Sequence, residues 1–268
     1  MRPNTVVTWK EFEKLALVKI REVQERPRGR WYPSKVLFRG QSDANWRLKS
    51  TLERCMRATR ALSEYYELMR MVRDRFASRR WDLDESLMLT PPLSLKGVPF
   101  MVYLRQNGFP SPLLDWTSSP YIAAFFAFRN VQRESTRPKH VSIFTFQEFP
   151  DENVSFNEVD EPWVQHIGWS ILTDKKHYLQ QCQYTICLHR ERDDWLFDSY
   201  DRLCDDHSSE GVFQQYDISF SEEEQQNVLR DLRRRRITAF DLFESEEGRM
   251  KSLAVDEPFP EGGRNVTL

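Results

Sequence analysis

The chain has 268 residues with 39 Lys+Arg against 41 Asp+Glu, a net charge of -2 and a pI near 6.3; this balance excludes a protein that coats nucleic acid through bulk charge. Four cysteines (Cys55, Cys182, Cys187, Cys204) without a CxxC pair, and five scattered histidines without an HExxH or Cys/His cluster, argue against a disulfide framework or structural zinc and for a reducing cytoplasm. MRPNTVVTWKEFEKL lacks the apolar core of a signal peptide, and no run of about 18 apolar residues occurs, so a membrane span is not expected.

Thr8 and Glu11 form a capping box that opens a helix over 8–28, with Trp9, Phe12, Leu15, Val18 and Ile20 along one side. VLFRGQ then reads as a strand, with Val36, Phe38 and Gly40 facing one way and Leu37, Arg39 and Gln41 the other. A long helical region over 51–80 follows, its apolar stripe being Leu62, Tyr65, Met69, Val72 and Phe76. From Pro91 to Leu114 breakers alternate with apolar residues, which predicts loops around one short helix. Ser119 as cap and Pro120 as first helical residue open the apolar helix YIAAFFAF. Strands are expected at 140–146, 176–189 and 216–220, and a second capping box, Ser221 with Glu224, starts the helix EEEQQNVLRDLRRRR. Strands and helices mix without regular βαβ alternation and without repeats, which favours an α+β fold.

Charge is unevenly spread. Residues 47–80 carry nine arginines and one lysine against four acids, and residues 191–224 carry twelve acids against two arginines. The first segment suits a nucleic-acid surface, but it also suits a solvated helix face on which Arg60 pairs with Glu64 and Arg70 with Asp74. RRRR at 233–236 ends a helix that begins EEE, an arrangement that complements the helix dipole.

Three polar intrusions into apolar elements are more informative. Arg39 needs acceptors: either a core salt bridge to Asp115 or Asp43, or an anion that its planar fork can clamp. Asp115, Thr117, Ser118 and Ser119 crowd the start of an apolar helix, where one hydroxyl suffices as a cap and the remainder could serve a phosphate or ribose. Gln180 is the strongly polar member of the row Tyr178, Gln180, Cys182, Tyr184, Ile186 and Leu188, so its amide must be satisfied by protein or ligand.

FRGQ, LLDWTSSPYIAAFFA, KHYLQQCQYT and the closing ITAFDLF resemble the FRG domain, a prokaryotic and phage-associated family, over about residues 30–245 of a single 1–268 domain whose last part, 246–268, is irregular. The same positions resemble more distantly the ADP-ribosyltransferase toxins of the arginine, serine, glutamate type. That likeness implies a split mixed or antiparallel β-sheet core with flanking helices and NAD as substrate, without a metal. Carried over, Arg39 with Gly40 matches the phosphate-holding motif. Thr117, Ser118 and Ser119 match the ribose-pocket element, with Gln41 beside Arg39 completing a cofactor-binding set. Gln180 matches the first residue of the third motif, but Cys182 stands where such enzymes carry glutamate.

A carboxylate stabilises the oxocarbenium-like state of nicotinamide-ribose cleavage, and losing such a contact costs about 2.7 to 4 kcal/mol. Asp115 is the first candidate to replace it and Glu210 a weaker one. The resemblance implies a cytoplasmic toxin or defence effector that modifies a macromolecule, RNA, DNA or protein, with catalytic residues Arg39, Ser118, Gln180 and Asp115 and an antitoxin or regulatory protein as partner. The alternative is a non-catalytic nucleotide-sensing or interaction module. A nuclease is disfavoured for want of clustered acids or a histidine pair.

Overall fold

The computed structural model describes residues 5–25, 35–55, 61–75, 97–131, 139–147, 162–167, 175–192, 194–201 and 213–244. In chain order these form β1 (Thr5–Val7), α1 (Trp9–Glu25), β2 (Val36–Gln41), α2 (Thr51–Cys55), α3 (Leu62–Arg75), α4 (Val98–Gln106), β3 (Leu114–Thr117), α5 (Pro120–Phe128), β4 (His140–Gln147), β5 (Trp163–Ile167), α6 (Lys175–Leu179), β6 (Cys182–Glu191), β7 (Asp194–Phe197), β8 (Phe213–Ser219), α7 (Glu222–Arg234) and α8 (Ala239–Phe243). The fold is α+β. One mixed sheet runs β1-β8-β4-β2-β3-β6-β5, with β7 also on β6, and only β1 and β8 are parallel.

Both capping boxes are present. Thr8 N donates to Glu11 Oε2 at 2.8 Å, and Ser221 Oγ accepts from Glu224 N at 3.1 Å. The buried stripe of α1 is Phe12 and Ala16, flanked by Trp9, Ile20 and Val23, whereas Leu15 and Val18 face solvent. The 3.6-residue period counted from Phe12 selects this set, and the expected row through Leu15 drifts off it. The expected helix over 51–80 is two helices. Ala61, just before α3, forms a β-bridge with Leu196; residues 56–60 and 76–80, including Arg60 and Phe76, lie outside the described residues. Leu62, Tyr65 and Met69 are buried as expected, Arg70 pairs with Glu67 at 3.2 Å, and Arg73 reaches Asp74 at 3.0 Å.

The largest correction concerns 176–189. Lys175–Leu179 is helical, Gln181 sits at φ 49°, and the strand begins at Cys182. Gln180 is therefore in a turn, outside the face on which Cys182, Tyr184, Ile186 and Leu188 are buried. Strand β3 was expected as a loop, and β1, β5 and β7 were not expected at all. The two charged segments find partners within the fold, in part in each other. Asp201 holds Arg47 at 3.0 Å, Asp194 accepts from Ser63 at 2.9 Å, and Asp217 accepts from Gln215 at 2.8 Å. Arg235 of the RRRR run pairs with Asp231 at 3.0 Å and Glu13 at 3.4 Å, and lies 4.3 Å over the ring of Tyr121, tying α7 to α1 and α5. Glu210 and 246–268 lie outside the described residues. Among the described residues, no helix is long and apolar enough to cross a membrane.

The layering of the sheet creates the cleft. Phe38 pairs with Thr117, and Thr117 with Cys182, so these three side chains point to one face. On that face Phe38 joins α1, α5 and α7 in one apolar cluster, while Cys182 and Tyr184 join α3 and α4 in another. Leu37, Leu114, Trp116, Phe144 and Phe146 form a third cluster on the opposite face. The first two clusters part above the junction of β2 and β3, where Phe38 and Thr117 are the sole residue pair in register. Beyond this pair the two strands diverge.

Candidate functional site

A cleft of about 880 Å³ fills this divergence. Strand β2 contributes Arg39, Gly40 and Gln41; β3 contributes Asp115 and Thr117; α4 contributes Arg105 and Gln106; β6 contributes Cys182 and Tyr184. Phe126 of α5, Phe243 of α8, Gln180, and the Trp46, Arg47, Lys49 and Arg54 segment complete its wall.

Of the two partners open to Arg39, the structure selects Asp115. Arg39 Nη1 donates to the Asp115 backbone carbonyl at 2.7 Å and lies 4.0 Å from its carboxylate, while Asp43 instead accepts from Asn45 at 2.9 Å. Arg105 donates through Nη2 to Oδ2 of the Asp115 carboxylate. Burial brings the Arg39 pKa down to about 10; Asp115 opposes this, and Arg105 and Arg54 add to it. Arg39 Nε and Arg105 Nε are both buried without a hydrogen-bond partner. One carboxylate therefore serves two guanidiniums with donors still unmet, an arrangement that attracts an anion.

The hydroxyl cluster divides. Ser119 is the N-cap of α5, accepting from Ile122 N at 3.3 Å, and Thr117 Oγ1 accepts from Ser119 N at 3.2 Å. Ser118 donates through its hydroxyl to Gln181 Oε1 at 3.0 Å and through its amide to Gln181 O at 3.2 Å. Thr117 alone of the three lines the cleft. Gln180 lines it too, but its amide is satisfied by protein: Nε2 donates to Leu242 O at 3.0 Å, and Cys182 Sγ donates to Oε1 at 3.6 Å.

Cys182 supplies no charge. Burial first, then the field of Asp115, pushes its thiol up to about 12, so it is neutral at pH 7. In the native protein iodoacetamide should modify exposed Cys55 and spare Cys182 and Cys187 until denaturant is added. Peptide mapping checks this, and rapid native labelling of Cys182 would contradict it. Tyr184 is likewise held protonated, chiefly by burial, with its hydroxyl accepting from Gln106 Nε2 at 3.1 Å. No group of three His, Cys, Asp or Glu side chains suited to a metal occurs among the described residues.

Gly40 serves packing. A Cβ there would lie 1.9 Å from the Ala123 carbonyl oxygen, so the glycine lets α5 rest directly on β2.

Residues 34–136 match the family model of the FRG domain. The chain carries an FRG domain. The match is shorter than the 30–245 span of the resemblance; it contains Arg39, Gly40, Gln41, Arg105, Asp115 and Thr117–Ser119 but not Gln180 or Cys182. The FRG domain thus supplies the cationic wall of the cleft, and the chain beyond it supplies the wall formed by β6 and α8. No curated protein and no solved structure matches the chain.

Several lining residues were not singled out by the sequence. Arg105 closes α4 and reads as a dipole complement; only the fold aims it at Asp115. Tyr184 reads as core, and Trp46 as a loop residue. Trp46 lies close in sequence to FRGQ and Tyr184 to Gln180, whereas Arg105 is near neither.

Proposed function

We propose that the cleft binds NAD and that the protein transfers its ADP-ribose to a macromolecule. The observation that carries this reading is the charge of the wall: among the described residues Arg39, Arg47, Lys49, Arg54 and Arg105 line the cleft with Asp115 as its single carboxylate. Arg39 and Arg105, each with an unmet buried donor, would hold the pyrophosphate. Thr117 and Gln180 stand on the other side, by Cys182, where the nicotinamide ribose would lie. Asp115 is the group able to face positive charge developing on that ribose. A role as toxin or defence effector, with an antitoxin or regulatory partner, extends the same reading.

A second reading, a nucleotide sensor without chemistry, is favoured by one specific observation. Asp115 is already engaged by Arg105, Gln180 is satisfied by Leu242, and Cys182 is neutral. Incubation with labelled NAD and cell extract, followed by protease or nuclease treatment, separates the two. Transfer predicts label in protein or nucleic acid that is lost in Arg39→Ala and reduced in Gln180→Ala. NAD binding by calorimetry without label or nicotinamide release would leave the sensor, and no binding would remove NAD from both.

A further inference from the structure

Two residues beyond Arg39 on β2, and in the segment that follows the strand, the cleft carries two features that the phosphate and ribose contacts do not use. Gln41 is 8% exposed, lines the cleft, and has its Oε1 buried without a partner. Its cross-strand neighbour Ser142 does not relieve it, because Ser142 Oγ is also unpartnered. A buried amide oxygen without a donor is costly, and such an oxygen facing a cleft marks a place for a ligand N–H or O–H.

The second feature is Trp46, which lines the same cleft and is 57% exposed, the one tryptophan among the described residues that faces solvent. It stands on an ordered platform. Trp46 N donates to Asp43 O at 3.1 Å, Asn45 N donates to Asp43 Oδ1 at 2.9 Å, Ala44 N donates to His140 O at 3.1 Å, and Gln215 Nε2 donates to Ala44 O at 3.1 Å. An exposed indole on a hydrogen-bonded turn beside arginines is a stacking surface for a flat ring that carries phosphates.

We infer that Gln41 and Trp46 form a nucleobase subsite that selects an aminopurine: Trp46 stacks on the base and Gln41 Oε1 accepts from its exocyclic amine. The inference rests on the reading of the cleft as a nucleotide site and adds to it the end of the ligand remote from Gln180. Adenine fits, because a glutamine amide can accept from the adenine amine while donating to an adjacent ring nitrogen. Along β2, Arg39 stands between Phe38, which is in register with Thr117, and Gln41, the order that a pyrophosphate grip between two nucleoside halves requires.

The test is calorimetry on the full chain with ADP-ribose, AMP, purine riboside 5'-monophosphate (which lacks the amine) and inorganic pyrophosphate. Wild type should bind AMP about tenfold more tightly than the amine-free analogue, because the analogue leaves Gln41 Oε1 unmet. Gln41→Ala should abolish that preference and leave pyrophosphate binding unchanged. Trp46→Ala, at an exposed position, should weaken ADP-ribose and AMP about tenfold or more and also spare pyrophosphate. Gln41→Ala and Trp46→Ala proteins that bind ADP-ribose and discriminate as wild type does would overturn the subsite while leaving the cleft a nucleotide site. A wild type that binds pyrophosphate but neither AMP nor ADP-ribose would overturn both.

Discussion

Gly40→Ala should destabilise the protein by about 3 kcal/mol, toward the upper end of what an overpacked site costs. The added methyl would meet the Ala123 carbonyl oxygen at 1.9 Å and the Ala127 amide nitrogen at 2.8 Å, both backbone atoms of α5. That helix is buried on nearly every side, with Ile122, Ala123, Ala124, Phe125, Ala127 and Phe128 all in the core, so it has nowhere to retreat. Urea unfolding of the variant should show a lower midpoint with an unchanged slope. Because the obstructing atoms are backbone, Ala123→Gly should give no rescue. A Gly40→Ala protein of wild-type stability would mean that α5 does not rest on β2 as described.

Asp115→Asn should move binding and turnover in opposite directions. The carboxylate is the shared counter-charge of Arg39 and Arg105, and removing it leaves two cations to a passing anion. Binding of ADP-ribose or pyrophosphate should tighten several-fold, while any ADP-ribosyl transfer should fall about a hundredfold, the scale of losing one oriented electrostatic contact. Stability should drop as well. Breaking a fully buried pair costs about 3 to 5 kcal/mol and an exposed pair about 1 or less; with Asp115 36% exposed, about 2 kcal/mol is expected. Calorimetry, label transfer and urea midpoints on one preparation check all three. Weaker anion binding in Asp115→Asn would show that Asp115 orients the arginines more than it competes for them.

What the sequence disclosed follows from how local each signal is. The capping boxes at Thr8 and Ser221, the cap and proline that open α5, and the two-residue alternation of VLFRGQ depend on neighbours within a turn or a strand, and the structure contains each of them. Strand β3 was hidden because four residues containing an aspartate and a threonine, followed by two serines, resemble a helix cap; its strand character comes from β6, about seventy residues later. Gln180 was misplaced because an alternation of apolar side chains runs across the αL turn at Gln181, which no residue type in that position announces. At the site, Arg39 and its link to Asp115 were legible as a charge in need of a partner. The competition of Arg105 for the same carboxylate was not, since helix α4 alone gives no hint of where its last turn points.

The pairing of β8 with β4 and β1 also bears on how the chain is made. Strand β4 ends at Gln147, yet its outer edge stays open until Phe213–Ser219 is available, and β1 pairs with that same strand from the far end of the sequence. At a translation rate of roughly 5 to 20 residues per second, β4 leaves the ribosome on the order of 3 to 13 seconds before its partner does. During that interval an apolar edge, HVSIFTFQ, is unpaired. Nascent chains truncated before β8 should therefore be the species most dependent on holding chaperones, and the sheet can close only once Phe213–Ser219 has emerged.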